Sequence, residues 1–386
     1  MRGTRRLGPA ALAAAMALAL AGPASAGSGG GVEPDRPAPW EMDAPSGAEF
    51  VDDLWFVEFA SPPQARGGNA AAQATERRAM QAEARAKGAQ FEQRRDFGTL
   101  WNGISVRADA DSIAAIAASR HVTAVYPVAV IDAPEPTEVS PALASALSMT
   151  GADTAQSELG YTGDGLSVAI IDTGIDYNHP DLGGTGDDSV RIEANSRDDR
   201  RMDHPRITHG WDYVGSEFNP ADPNAPTDPA PDPDPRDTQG HGTHVAGITG
   251  ADAASEDGVT GVAPGVTFGA YKVFGPGSTT SEVIVDALED AYEDGFDIVN
   301  MSLGAAFAWG QDYPTTASSN ELAANGVVVV NSAGNSGGDG AWTLSAPANA
   351  HDIISVASAD NTEQQTNVFE VDQLDEPIPY LELSGA

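Results

Sequence analysis

Apolar and polar positions alternate with two different textures along this chain, and the change falls near residue 146. In the first part, Leu54 to Ala60 is a short apolar run of strand type. Ala70 to Gln93 is Ala-rich and charged, with good helix formers throughout. Trp101 to Arg107 alternates as a strand does. Asp109 to Arg120 predicts a second helix, with Asp109 or Asp111 as cap and Ile113 and Ile116 on its apolar face. Val122 to Ile131 is strand-like again. Strand, helix, strand, helix, strand over residues 51–132 is a small α+β unit. Beyond residue 146, apolar runs at Ser167–Asp172, Thr267–Phe274, Asp297–Ser302, Val327–Ser332 and Ile353–Ala357 are spaced by helical patterns at His241–Gly250, Thr280–Asp294 and Thr315–Asn325. Near-continuous apolar strands separated by helices predict an α/β fold built on a parallel sheet covered on both faces.

Linkers and termini divide the chain further. Arg2, Arg5 and Arg6 precede an apolar stretch from Ala10 to Ala21, and Ala24-Ser25-Ala26 offers small residues for cleavage. Residues 1–26 therefore read as a secretory signal peptide, its apolar core being too short for a bilayer span. Residues 27–50, rich in Gly, Pro and Ala, and residues 133–146, with Pro134, Pro136 and Pro141, read as linkers. The α/β unit runs from 147 to 360, and residues 219–237 within it form a Pro- and Asp-rich loop.

Composition narrows the function. Of the 386 residues, 57 are Asp or Glu and 20 are Lys or Arg, a formal net charge of -37. This balance opposes binding to nucleic acid or to an anionic membrane surface. The chain has no cysteine, which removes thiol catalysis, iron–sulfur clusters and disulfides together.

Chemistry gathers at the carboxyl ends of strands in open α/β sheets. Val168 to Ile171 ends in Asp172-Thr173-Gly174. Ile298 to Met301 ends in Ser302-Leu303-Gly304. Val327 to Val330 ends in Asn331-Ser332-Ala333-Gly334-Asn335, and the helix at Gly240-His241-Gly242-Thr243-His244 opens with an imidazole. A base, an orienting carboxylate and an amide donor on one rim are the parts acyl transfer needs.

These segments resemble those of subtilisin-like serine peptidases, the subtilases. Ala169 to Asp176 looks like the segment around their catalytic Asp, His241 to Gly247 like their catalytic His segment, and Ser332 to Gly337 like their oxyanion loop, in the family's order. The resemblance implies Asp172 and His241 as catalytic residues and Asn335 as oxyanion donor. It implies Ser302, Leu303 and Gly304 as a substrate-binding strand, with Gly277 to Thr280 as the opposite edge. Residues 51–132 resemble the family's inhibitor-type propeptide, a ferredoxin-like α+β fold that assists folding and blocks the cleft, through Trp101 to Val106 and Val122 to Pro127. A secreted endopeptidase precursor acting on peptide or protein substrates, with its own propeptide bound, is the expectation. No cofactor is needed for such chemistry; structural calcium belongs to the family, with no ligands named by this sequence.

One part is missing. The family's Gly-Thr-Ser-Met-Ala run is not in the sequence. The Gly-Thr pairs at Gly3-Thr4, Gly98-Thr99, Gly184-Thr185 and Gly242-Thr243 are not followed by Ser. The chain thus reads as truncated before the catalytic serine, with 361–386 as the start of an inserted protease-associated domain, and as inactive alone. Gly334-Asn335-Ser336-Gly337-Gly338 imitates a nucleophile elbow, but the elbow needs a helix next, and Asp339 to Ala350 has no helical period. A non-catalytic peptide-binding or inhibitory pseudo-peptidase stands as the alternative, and an esterase or amidase using Ser336 as a third. His244, one turn from His241, lacks the Glu of a His-Glu-x-x-His metal helix and reads as a buried, hydrogen-bonded histidine. His179, His204 and His209 read as surface or turn residues. Asp222, Asp228, Asp232, Asp234 and Asp237 read as a solvated acidic loop before a calcium site, because alternating Pro keeps the loop extended.

Overall fold

A computed structural model describes residues 49–134, 143–256, 258–306, 310–340, 343–362, 367–369 and 378–380. Residues 1–26, expected as a signal peptide, nearly all of the expected first linker, the middle of the second and most of 361–386 lie outside the described residues.

The first unit contains β1 (Phe50–Phe59), α1 (Ala70–Ala86), β2 (Phe91–Phe97), β3 (Gly103–Ala108), α2 (Ala110–Ala117) and β4 (Val122–Ile131). Asn69 caps α1 by accepting from the Ala72 N–H at 3.1 Å, and Asp109 caps α2 by accepting from Ser112 at 2.8 Å. The strands pair antiparallel in the order β2-β3-β1-β4. One strand more is present than the sequence pattern predicts. The helix expected to run to Gln93 ends at Ala86, and Phe91–Phe97 is β2. That strand carries Glu92, Gln93, Arg94, Arg95 and Asp96 in its middle and so shows no apolar alternation.

Period two along β1 sorts its side chains between two cores. Trp55, Val57 and Phe59 pack with Met80, Ala84, Ile113 and Ile116 of the unit's own helices. Leu54 and Phe56 face the other way, into a cluster with Phe97, Trp101 and Tyr126 that also contains Val285 and Tyr313 from the second unit. Tyr313 meets Phe56 and Tyr126 edge-on, with centroids 6.1 and 5.9 Å apart.

The second unit opens with α3 (Leu143–Thr150), which crosses position 146, and α4 (Ala152–Ser157). It continues through β5 (Ser167–Asp172), β6 (Ile207–Asp212), α5 (His241–Gly250), β7 (Thr267–Lys272), β8 (Thr279–Thr280), α6 (Ser281–Glu293), β9 (Ile298–Met301), α7 (Pro314–Ala324), β10 (Val328–Ser332) and β11 (Ile354–Val356). Six of these strands form a parallel sheet in the order β11-β10-β9-β5-β7-β6. Val168 to Asp172 are buried without a break, as they must be when both faces of a central strand are covered. Edge strand β11 differs, with Ile354 and Val356 exposed. Strand β8 leaves this sheet and pairs antiparallel with β4, Val130 opposite Thr280 and Ile131 opposite Thr279. The first unit's sheet thereby gains a fifth strand from the second unit. A short antiparallel pair, β12 (Asn367–Phe369) and β13 (Ile378–Tyr380), follows. Among the described residues, no helix is long and apolar enough to cross a membrane.

Candidate active site

The carboxyl end of β5 and the amino end of α5 meet. Asp172 Oδ1 lies 2.8 Å from His241 Nδ1. Asp172 is fully buried, and its Oδ1 also accepts the Thr173 N–H at 2.7 Å. The approach depends on glycine at the second position of the helix. A Cβ at Gly242 would stand 2.1 Å from the Gly174 carbonyl oxygen and 3.2 Å from Asp172 Cβ. Thr173 closes the junction, its Oγ1 accepting the Gly242 N–H at 2.8 Å.

A second carboxylate fixes the helix start. Asp237 accepts from Gln239 N–H and Gly240 N–H through Oδ1, both at 2.8 Å, and from the Thr243 N–H at 2.9 Å and hydroxyl at 2.7 Å through Oδ2. It therefore serves orphan N–H groups of the first turn and places a negative charge at the positive end of the helix. Thr243 Oγ1 in turn accepts the Asp176 N–H at 2.9 Å.

The electrostatics of the pair follow from burial and contact. Burial pushes the Asp172 carboxyl up, against the His241 hydrogen bond and charge and the Thr173 N–H, which pull it down. For His241 burial pulls the pKa down, but the hydrogen bond and charge of Asp172 outweigh it, and the net direction is up. An imidazole whose Nδ1–H is held by a buried carboxylate presents Nε2 as a base. Among the described residues no hydroxyl is hydrogen-bonded to that Nε2. His244 is half-buried rather than buried, and burial and the neighbouring His241 both lower its pKa, which keeps it neutral.

Asn335 stands beyond β10 at an exposed turn. It lines a cavity of about 300 Å³ together with Ser302, Leu303 and Gly304 on one side and Ala129, Val130 and Asp132 to Pro134 of the first unit on the other. Asp172 and His241 are outside that lining. Asn331, buried at the end of β10, donates to the carbonyls of Leu303 at 2.9 Å and Ser332 at 2.7 Å, tying the two loops together. Gly304 is required on its inner side, since a Cβ there would lie 2.5 Å from Ser345 Oγ. The opposite edge, Gly277 to Thr280, contains β8, and Ser278 Oγ donates to Asp132 at 2.9 Å. The end of β4 therefore lies against both walls of the cleft. Ser336 opens a 3-10 turn, Ser336–Asp339, rather than the α-helix an elbow requires.

The acidic loop is occupied by its own chain. Asp228 pairs with Arg94 and Arg107, and Asp234 pairs with Arg191 and accepts from Tyr177 OH. Asp222 and Asp232 accept backbone N–H groups two residues on. Among the described residues no three His, Asp or Glu side chains converge as a metal set. His179 and His204 accept N–H groups at turns, and His209 shares a hydrogen bond with Thr208.

Sequence reasoning missed Asp237, Thr173 and Asn331. Of these only Asp237 left a signal, an acidic residue just ahead of a predicted helix. It also missed Glu289 and Tyr313, which join the two units. Glu289 Oε1 accepts the N–H groups of Gly98, Thr99, Leu100 and Trp101. The Tyr313 hydroxyl accepts the Ala129 N–H at 3.1 Å and donates to the Pro127 carbonyl at 3.0 Å.

Several known proteins are similar to this chain. Minor extracellular protease Vpr of Bacillus subtilis is 34% identical over 275 residues, covering 68% of this chain and 30% of its own length. Subtilisin DY of Bacillus licheniformis is 34% identical over 224 residues, 57% of this chain and 65% of its own. The PI-type proteinase of Lactococcus lactis is 31% identical over 302 residues, 71% of this chain but 15% of its own. The chain thus spans a minor part of the larger relatives. The crystal structure of fervidolysin from Fervidobacterium pennivorans, a keratinolytic enzyme related to subtilisin, superposes with a TM-score of 0.52 at 19% identity, over 81% of this chain and 44% of that one, a likeness of fold. Residues 163–371 match the Subtilase family, and the chain belongs to it.

Proposed function

We propose that this chain is the N-terminal portion of a secreted serine endopeptidase precursor that hydrolyses peptide bonds. The observation that carries the reading is the 2.8 Å contact between a buried carboxylate and the Nδ1 of His241 at the carboxyl edge of the parallel sheet. In this reading His241 Nε2 takes the proton of an attacking serine hydroxyl and later delivers it to the leaving amine. Asp172 holds the tautomer and stabilises the imidazolium. The Asn335 amide donates to the tetrahedral oxyanion, and Ser302, Leu303 and Gly304 take an extended peptide by strand addition. The nucleophile comes from outside these 386 residues. The chemistry draws on no cofactor; structural calcium would sit elsewhere than the 219–237 loop.

Residues 51–132 act as a ferredoxin-like inhibitory propeptide. The β4–β8 pairing supports this, because it lays the end of β4 where a substrate strand would lie. Residues 1–26 direct export, in keeping with the word extracellular in the name of the Bacillus relative.

A second reading, a non-catalytic peptide-capturing protein, is favoured by His241 Nε2, which meets no hydroxyl among the described residues. Fluorophosphonate labelling of protein expressed from the complete coding region separates the two. Label on a serine outside the 386 residues, lost in His241→Ala, is expected. Label at Ser336, or none at all, would overturn the endopeptidase reading.

A further inference from the structure

The ion pairs between the two units run one way. Every cation is an arginine of residues 49–134, and every anion belongs to the second unit, among the described residues. Arg66 pairs with Glu321, Arg94 with Glu282 and Asp228, Arg95 with Asp286, and Arg107 with Asp228. The consecutive arginines of β2 are the centre. Arg94 holds Glu282 Oε1 through Nε at 3.1 Å and Nη2 at 3.0 Å, and Glu282 has no side-chain exposure. From the other side Asp228, on the Pro- and Asp-rich loop, closes over Arg94 and over Arg107 of β3, the latter at 3.2 Å. None of these residues lines the cleft beside Asn335.

We propose that Asp228 on its loop, with Glu282 and Asp286 of α6, forms an arginine-reading clamp that recognises the Arg94-Arg95 pair of the N-terminal unit and makes its release depend on ionic strength. This rests on the reading of that unit as a propeptide. Two physical facts divide the labour. Glu282 is fully buried in the docked chain, so a unit lacking an arginine there would leave a carboxylate dry and unpaired, which rejects non-cognate partners. Asp228 is 64% exposed, so its hold on two guanidinium groups is screened by salt. The loop is thus a selectivity and release element separate from the peptide-binding strands. Its alternating prolines keep it extended enough to reach across.

Hydrogen–deuterium exchange on the whole chain tests the clamp without needing activity. In the wild type, amides of β2, β3 and the β4–β8 pair are expected to exchange about three- to tenfold faster in 1 M than in 0.05 M NaCl. Asp228→Asn, an exposed change that leaves both cores intact, is expected to raise the low-salt rate by about the same factor and to flatten the salt response. Equal protection at both salts in both proteins would overturn the clamp while leaving the docked propeptide standing. Rapid exchange of the β4 amides in the wild type at low salt would overturn the docking itself, and the clamp with it.

Discussion

Glu289 offers the sharpest test of how the two units are joined. Its side chain enters from α6 and collects four consecutive N–H groups of the β2–β3 loop, with Thr99 at 2.9 Å and Leu100 at 2.8 Å and the outer two, Gly98 and Trp101, at 3.2 and 3.3 Å. Glu289→Ala removes that acceptor. An orphaned buried N–H costs about 1–3 kcal/mol, and the two short bonds carry most of the loss. Thr99 is half-buried and can turn to water, so the expected destabilisation is about 3 kcal/mol. Burial pushes the Glu289 carboxyl up to about 8, against the pull of the Leu100, Trp101 and Gly98 donors. At neutral pH a glutamine in its place therefore copies the prevailing form, keeps an acceptor oxygen, and costs less than about 1 kcal/mol. Urea unfolding of the whole chain at pH 7 measures both variants, with exchange of the Gly98–Trp101 amides as a local readout. The reasoning is refuted if Ala lies within about 0.5 kcal/mol of wild type, or if Gln is as harmful as Ala.

Further expectations follow from other contacts. Burial drives the Glu58 carboxyl up from 4.5 to about 7, with Tyr126 opposing and Asp312 adding to the rise. Its contribution to stability is therefore complete below about pH 4.5 and lost as pH rises through about 7. Since the residue is only partly buried, Glu58→Gln should raise stability at pH 8 by no more than about 2 kcal/mol and flatten the pH profile of thermal unfolding between pH 4.5 and 7. Gly242→Ala drives a methyl into the Gly174 carbonyl and should cost about 1–3 kcal/mol while weakening the Asp172–His241 contact, read as loss of a low-field Nδ1 proton signal in NMR. In protein that contains the nucleophile, Asp172→Asn should lower kcat by about 10⁴-fold by turning the imidazole to the wrong tautomer, and Asn335→Ala by about 10²–10³-fold, the loss that removal of one oxyanion donor brings, each in a peptide-hydrolysis assay.

The middle of the central sheet was legible because β5 and β7 are buried on both faces and so read as unbroken apolar runs; Ser167–Asp172 was bounded to the residue. The contact between Asp172 and His241 was legible because a strand-end Asp and a helix-start His each sit in a distinctive local run. What escaped was written in long-range contacts. Strand β2 is polar because Arg94 and Arg95 point at carboxylates 188 and 191 positions away in the chain. Strand β6, Ile207–Asp212, carries Thr208 and His209 and lies on an edge, while β8 is two residues long and exists only by pairing with β4. Glu289 and Tyr313 look like ordinary surface and loop residues until a second sheet is laid over them. Asn331 belongs to an apolar run as read and is a buried amide in fact.

The shared fifth strand has a bearing on biosynthesis. The first unit emerges from the ribosome early and can collapse around its own helices, yet its β4 border stays open until Thr279 and Thr280 arrive. An open border of that sort invites pairing with neighbouring nascent chains. Whatever delays α6 and β8, a slow codon tract or a destabilising change in the intervening segment, lengthens that vulnerable interval and should show itself as lower yield of intact protein rather than as a weaker catalyst.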